Sequence, residues 1–135
     1  MLYSYLSFNG NCRQAMEFYK DCFNGSLRIQ TIGESPLSDK MPTQMKNFIL
    51  HASLTTKSFI IMATDMVCEN GLKKGNNISL ALQCNDEKEM KHFFEKLSHE
   101  GVKKQEIKET FYGSLFGEIT DKFGFNWILN FNKNS

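Results

Sequence analysis

One order of predicted elements occurs twice in this chain, and that repeat limits the folds it can adopt. In each half the hydrophobic pattern predicts a strand, an amphipathic helix and then three more strands. The first copy runs from Leu2 to Thr64 and the second from Ile78 to Phe131. A period of this length is too long for a solenoid. The repeat therefore indicates two similar units whose sheets are completed by packing on one another.

Both helices have recognisable ends as well as helical spacing. Cys12 to Phe23 carries apolar residues three and four positions apart, with Asn11 as a candidate N-cap and Asn24-Gly25 as a stop signal. Glu87 to His99 repeats the pattern after Asn85-Asp86. We therefore predict one helix in each unit.

Alternating polarity and turn residues define the strands. The last two form a hairpin, in which Asp121 can bond the backbone across the turn and Gly124 can take a positive φ. The predicted fold class is α+β, with two tandem β-α-β-β-β modules in one domain of residues 1–135: module one about 1–66, a linker about 66–77 and module two about 78–135. The predicted strands are Leu2 to Phe8, Leu27 to Ile32, Phe48 to Thr55, Phe59 to Thr64, Ile78 to Cys84, Val102 to Thr110, Ser114 to Thr120 and Phe125 to Phe131.

Composition excludes several classes of function. A hydrophobic fraction of 41% with twelve Phe supports a packed interior, and a net charge of +1 with scattered basic residues gives no nucleic-acid footprint. The four cysteines lack C-x-x-C spacing, which argues against a zinc site and a disulfide framework. No apolar run is long enough to span a membrane. We expect a reduced, cytoplasmic protein that binds neither nucleic acid nor membrane.

Several segments resemble one protein superfamily in their order along the chain. The chain resembles the vicinal oxygen chelate superfamily, which includes glyoxalase I, bleomycin-resistance proteins and extradiol dioxygenases, and within it the PhnB-like branch. The resemblance implies paired β-α-β-β-β modules that form a cupped mixed sheet around a small-molecule pocket, and it implies a homodimer. The segments that carry it are Tyr5 to Tyr19, Leu50 to Leu54, Met62 to Asp65 and Tyr112 to Trp127.

Two activities of such relatives find no support in the residues. Metal-dependent members take His or Glu ligands from the first and last strands of each module, and divalent metals on this scaffold need such donors. This chain has none there, so we expect no metal ligands and no cofactor, with an atypical divalent metal left open. Some PhnB-like proteins carry a methyltransferase label, but no Gly-rich strand-to-helix loop for S-adenosylmethionine occurs here. The residues at the metal positions are Ser4, Tyr5, Ile61, Met62, Ile78, Ser79, Ile128 and Leu129.

His51 and Glu118 are the candidate catalytic residues. Alternation places His51 and Ser53 on one strand face, where a histidine could act as general base or hold a ligand. The opposite face carries Phe48, Leu50, Ala52 and Leu54. Glu118 occupies the repeat-related place of Ser53 and could act as acid or base. Each also has a structural interpretation: His51 bonded to a neighbouring strand, and Glu118 paired with a lysine at a sheet edge.

Aromatic and hydroxyl side chains complete the predicted ligand pocket. Aromatic rings can stack on a planar ligand, although rings at strand spacing also serve as core. Trp127 is placed at the cavity or at the dimer interface. The predicted pocket residues are Tyr5, Ser7, Ser53, Phe111, Tyr112 and Trp127.

Two functions follow from these residues. The first is a protein that binds or sequesters a small organic molecule in the cup, without the metal of its relatives. The second is an enzyme of lyase, isomerase or dioxygenase type that uses His51 and Glu118, or an atypical metal. The missing ligands favour binding, since nothing supplies the Lewis acid of the relatives.

Overall fold

The computed structural model describes residues 1–67 and 70–133, and it contains eight strands and two α-helices. Cys68, one of the four cysteines, lies outside the described residues. Two short 3-10 helices, Ser38–Lys40 and Thr43–Met45, lie in the connection before the third strand. The main elements are β1 (Ser4–Ser7), α1 (Cys12–Phe23), β2 (Ser26–Thr31), β3 (Ile49–Thr55), β4 (Ile60–Thr64), β5 (Ser79–Gln83), α2 (Glu87–Ser98), β6 (Val102–Glu109), β7 (Ser114–Thr120) and β8 (Asn126–Asn132).

The strands form two four-stranded mixed sheets with the same topology. The first has the order β1-β4-β3-β2 and the second β5-β8-β7-β6. In each sheet the strand before the helix lies parallel to the last strand of its module, and the other neighbours are antiparallel. The predicted α+β class and the two tandem modules are confirmed. The chain divides into two compact units, Met1–Lys73 (unit one) and Lys74–Ser135 (unit two).

In unit one the apolar side of α1 packs on one face of the sheet. Six residues of α1 are buried, among them Met16 and Tyr19. The sheet offers Leu6, Ala52, Leu54, Ile61 and Ala63 to the interior, all buried. Because successive side chains of a strand point to opposite faces, the residues between them lie on the face away from the helix.

The start of α1 is held by a residue distant in sequence. Asn11 stands at the N-cap position, but its side chain makes no capping hydrogen bond. The carboxylate of Asp65 instead accepts hydrogen bonds from the backbone N–H groups of Gly10 (2.8 Å), Cys12 (3.0 Å) and Ile49 (2.8 Å). The capping role expected for Asn11 was therefore wrong. Asp65 ties the start of α1 and of β3 to the end of β4.

Unit two repeats the packing with local caps. The Asp86 side chain accepts the backbone N–H of Glu89 at 2.7 Å, as the sequence predicted for this helix start. Buried Met90, Phe94 and Leu97 face the sheet. The fit is close, since a Cβ added at Gly117 of β7 would lie 2.8 Å from the Phe94 ring.

The β7–β8 turn has the predicted chemistry. Asp121 accepts the N–H groups of Phe123 (2.9 Å) and Phe125 (3.1 Å) through one carboxylate oxygen, and Gly124 has a φ of +92°. The second oxygen accepts the indole N–H of Trp127 at 2.9 Å. One side chain thus closes the turn and fixes the first part of the last strand.

Neither helix of the described residues is long and apolar enough to cross a membrane.

Candidate functional site

The face of the unit-one sheet opposite α1, called here the helix-free face, brings together four of the predicted site residues. Tyr5 and Ser7 lie on β1, and His51 and Ser53 lie on β3. The register pairs Tyr5 with Met62, and Met62 with Ser53, in one row across three strands. The predicted orientation of His51 and Ser53, away from the helix, is confirmed.

His51 is half-buried and lies beside an aromatic ring. The centroids of the His51 and Tyr5 rings are 6.1 Å apart, with the ring planes tilted by 40°. A register shift opposite Gln30 and Thr31 marks a bulge in β3 next to His51. Bulges of this kind often redirect a side chain near a functional site. The imidazole therefore stays within reach of solvent, next to a phenol and on a hydrogen-bonded sheet.

The strand β2 adds two residues that sequence reasoning did not select. Arg28 lies directly opposite Ser53, and Gln30 lies directly opposite His51. Both side chains are exposed, whereas Leu27 and Ile29 between them are less accessible. Their polar-apolar alternation could have placed them on this face, but their proximity to His51 and Ser53 depends on the register.

Glu118 lies on the corresponding face of unit two. It is half-exposed on β7, opposite Gln105 of β6 and Ile128 of β8. It forms no ion pair with a lysine among the described residues, in contrast to the structural interpretation. Glu118 and His51 belong to different units, and their joint action stays a prediction.

Trp127 lies on the helix side of the unit-two sheet. Trp127 is only 3% exposed, and its partner in the strand register, Ile119, is fully buried. Its indole N–H is engaged by Asp121 at 2.9 Å. Trp127 therefore belongs to the interior of its unit, on the face opposite Glu118.

Phe111 and Tyr112 lie in the turn between β6 and β7. Phe111 is fully exposed and Tyr112 is 60% exposed, and their rings meet edge to face with centroids 5.1 Å apart. They lie outside the strand rows that carry His51 and Glu118. Their predicted contact with a ligand stays a prediction.

The donor set at the strand positions used by metal-dependent relatives does not fit a divalent metal. Ser4 pairs with Ile61 and Tyr5 with Met62 in unit one, so hydroxyl, alkyl and thioether groups stand there. No group of three His, Cys, Asp or Glu side chains suited to a metal occurs within residues 1–67 and 70–133. His92 of α2 and His99, which follows the helix, are exposed.

The buried thiols are poor nucleophiles. Burial raises the pKa of the Cys12 thiol to about 12, and the nearby Asp65 carboxylate adds to the rise. Burial, followed by the charge of Glu89, likewise raises the pKa of Cys84 to about 12. Because the thiolate is the reactive form, neither residue is suited to nucleophilic catalysis at neutral pH.

These thiols give a testable dependence of stability on alkaline pH. An unfolded chain releases the two protons near the ordinary thiol pKa of 9.0, whereas the folded chain keeps them until about pH 12. The unfolded state then binds fewer protons, so the free energy of unfolding falls between these pH values, by up to about 1.4 kcal/mol per pH unit for each thiol. Urea denaturation at pH 8 to 10.5 measures this slope.

The matched control is the double variant Cys12→Ala/Cys84→Ala. It retains every other alkaline titration, so its slope should be shallower than that of the parent chain. Equal slopes in the two proteins would contradict the assignment of the effect to the thiols.

The comparisons with known proteins identify the family. A family model described as 3-demethylubiquinone-9 3-methyltransferase matches residues 1–130. The chain belongs to this family. The match covers both units and agrees with the PhnB-like resemblance of the sequence.

Individual relatives cover nearly the whole chain. Protein YjdN of Escherichia coli (strain K12) is 31% identical, and the match covers 93% of this chain and 91% of the relative. The crystal structure of protein PA1353 from Pseudomonas aeruginosa is 32% identical, with a TM-score of 0.85 over 98% of this chain and 97% of that one. A PhnB protein from Bacillus cereus, which also bears the methyltransferase name, is 24% identical with a TM-score of 0.75, covering 96% and 98% of the two chains.

A more distant structure shares the fold. A glyoxalase/bleomycin resistance/dioxygenase family enzyme from Burkholderia phytofirmans PsJN is 12% identical, with a TM-score of 0.65 over 96% of this chain and 97% of that one. Likeness at this identity shows the fold alone.

The methyltransferase in the family's description implies S-adenosylmethionine, and the strand-to-helix connections of this member do not fit that cofactor. Nucleotide-type cofactors use free backbone N–H groups of a Gly-rich loop at a helix start. Here the N–H groups of Gly10 and Cys12 are already donated to Asp65. At the start of α2 the N–H of Glu89 is donated to Asp86. No step of a methyl transfer can be assigned to these residues.

Proposed function

We propose that this protein binds a small organic molecule against the helix-free face of unit one, without the metal of its relatives. The observation that carries the proposal is the row of partly exposed side chains on unit one. Tyr5, Met62 and Ser53 lie side by side there, with His51 next to Tyr5. Ligand sites combine apolar and aromatic surface with a few well-placed polar groups, and this row has that composition.

The rigidity of the surface supports a binding role. Each strand of the row is hydrogen-bonded to its neighbours. Asp65, which follows β4, holds the start of β3 and the start of α1. A site on such a frame needs little ordering when a ligand binds, which reduces the entropic cost of association. The absence of carboxylate and imidazole donors at the metal positions supports binding without a divalent ion.

An enzyme that uses His51 as general acid or base is the second candidate function. The contact of the Tyr5 and His51 rings and the accessible imidazole favour it, because a general acid-base group must reach the proton that it transfers.

The proposal is tested with a panel of small metabolites and glycopeptides added to EDTA-treated protein. A true ligand at ten times its Kd should raise the melting temperature by about 3–5 °C, because it binds only the folded state. His51→Gln should reduce that shift by at least half. His92→Gln, an exposed histidine on α2, is the matched control and should leave the shift unchanged.

The two candidate functions differ in the fate of the ligand. Mass spectrometry of each hit after incubation should recover it unaltered if the protein only binds it. Turnover that His51→Gln abolishes while binding persists would establish the enzyme instead. Silence over the whole panel, or shifts that appear only after metal is restored, would contradict metal-free binding.

We also propose a homodimer in the cytoplasm. The consecutive exposed apolar side chains of Met1, Leu2 and Tyr3 support a partner surface, since contiguous exposed apolar surface marks interaction sites. The free, buried thiols of Cys12 and Cys84 support a reducing compartment.

A further inference from the structure

The strands of unit one carry an unbalanced set of charges. The sequences of β1, β2, β3 and β4 contain no Asp or Glu. Arg28 on β2 and His51 on β3 are their only basic residues. Since the chain as a whole is nearly neutral, this local absence of acids distinguishes the unit-one sheet.

Both basic residues lie on the helix-free face and are close together. Arg28 is directly opposite Ser53, and Gln30 is directly opposite His51. Side chains directly opposite on antiparallel strands have Cβ atoms about 4.5–5.5 Å apart, so these four form one block of hydrogen-bonding groups. Met62 and Tyr5 continue the row from Ser53 with apolar and aromatic surface.

The guanidinium of Arg28 has no acidic partner within the described ranges 1–67 and 70–133. Glu34 is the acid nearest in sequence to β2, and its carboxylate accepts both the N–H (3.1 Å) and the hydroxyl (2.8 Å) of Thr31. These hydrogen bonds from Thr31 lower the pKa of Glu34, which keeps it ionised and engaged locally. Arg28 is therefore available to an anion from outside the chain.

We infer that the helix-free face of unit one binds the carboxylate of a small organic acid and that Arg28 determines this specificity. The inference rests on the proposed binding function and names its ligand class. A guanidinium presents a planar fork that matches a carboxylate in two parallel hydrogen bonds. Ser53 and Gln30 can donate further hydrogen bonds, while Tyr5 and Met62 contact the organic part of the acid.

The single permanent cation selects a monoanion. A phosphate carries up to two charges at neutral pH, and its sites generally gather several cations or a helix N-terminus. Here one guanidinium lies opposite the neutral Ser53, with Gln30 and His51 two positions along the strand pair. A carboxylate matches that charge and also the two-pronged geometry.

The test uses pairs of molecules that differ only in charge: benzoate with benzamide, acetate with acetamide, and phenylacetate with phenylacetamide. Binding is followed by NMR through the backbone amide signals of Arg28, His51 and Ser53, at constant ionic strength. At least one acid should bind about tenfold more tightly than its amide, and Arg28→Gln should remove that difference, as loss of a charge-assisted hydrogen bond predicts. Inorganic phosphate should not displace the acid.

Three controls keep the test decisive. Arg13→Gln removes the only other arginine, exposed on α1, and should leave binding unchanged. Arg28→Lys keeps the charge without the fork and should show an intermediate preference. Circular dichroism verifies that each variant is folded.

The outcomes separate this inference from the proposed function. The acids and their amide analogues could bind equally well, as judged by these backbone signals, and Arg28→Gln could leave that binding unchanged. This result would overturn the carboxylate inference and leave the binding function standing. Binding of the amides alone would do the same, and displacement of the acid by phosphate would replace carboxylate specificity by general anion binding. If no acid perturbs these signals, the inference is overturned. The metabolite panel then decides separately whether the proposed function survives.

Discussion

Replacement of Asp65 by alanine should lower the free energy of unfolding by about 4 kcal/mol, the largest effect expected in this protein. The carboxylate is 3% exposed and accepts three backbone N–H groups, from Gly10, Cys12 and Ile49. Alanine would leave these donors without an acceptor in a buried place, which costs about 1–3 kcal/mol for each group. Urea denaturation followed by far-UV circular dichroism measures the change.

Two further variants identify the cause of that loss. Asp65→Asn keeps one acceptor oxygen, so it should retain part of the stability and fall between the parent and Asp65→Ala. Asp21→Asn, an exposed acid on α1, should change stability by less than about 0.5 kcal/mol. If Asp65→Ala proves as mild as Asp21→Asn, the carboxylate does not hold the three segments together.

Replacement of Asp121 by alanine should cost about 3 kcal/mol. This side chain is also 3% exposed, and it accepts the N–H groups of Phe123, Phe125 and the Trp127 indole. Its removal would open the β7–β8 turn and leave the buried indole N–H without an acceptor. A buried donor without a partner lowers the free energy of unfolding because water cannot replace the lost hydrogen bond. Trp127 is the chain's only tryptophan, so its fluorescence during urea denaturation follows the unfolding.

Asp86→Ala and Trp127→Phe are the comparison variants for the stability loss of Asp121→Ala, because each removes fewer hydrogen bonds in unit two. Asp86 accepts one N–H at the start of α2, and loss of such a cap costs about 1 kcal/mol. Trp127→Phe removes only the indole donor and should cost less than Asp121→Ala. A loss for Asp121→Ala no greater than that for Asp86→Ala would refute the threefold role of Asp121.

Local sequence patterns predicted the secondary structure closely. The predicted helix Cys12–Phe23 and the predicted strand Ser114–Thr120 have the observed ends, and the remaining strand ends differ by at most two residues. Helical spacing, polar-apolar alternation and turn residues act over a few positions, so a single sequence displays them. The β7–β8 hairpin was predictable for the same reason, because Asp121 bonds residues only two to six positions away.

Only part of the candidate site could be predicted from the sequence. Alternation correctly oriented His51 and Ser53, since a strand places every second residue on the same face. Trp127 shows the limit of such reasoning: an aromatic residue near a strand end suits a pocket or an interior equally well. The buried bond to Asp121 and the pairing with Ile119 place it in the interior. Arg28 was not selected because its relation to Ser53 depends on which strands pair.

By itself the sequence determined the two modules, their elements, the family resemblance and the lack of metal-type donors at the expected strand positions. All of these depend on residue type and on short spacings. Only the tertiary structure decided that Asp65, rather than Asn11, holds the start of α1, across more than fifty positions. It also decided that Arg28, Gln30, His51 and Ser53 form one block. Contacts of this kind arise from strand register and chain reversal, which no local pattern of residues encodes.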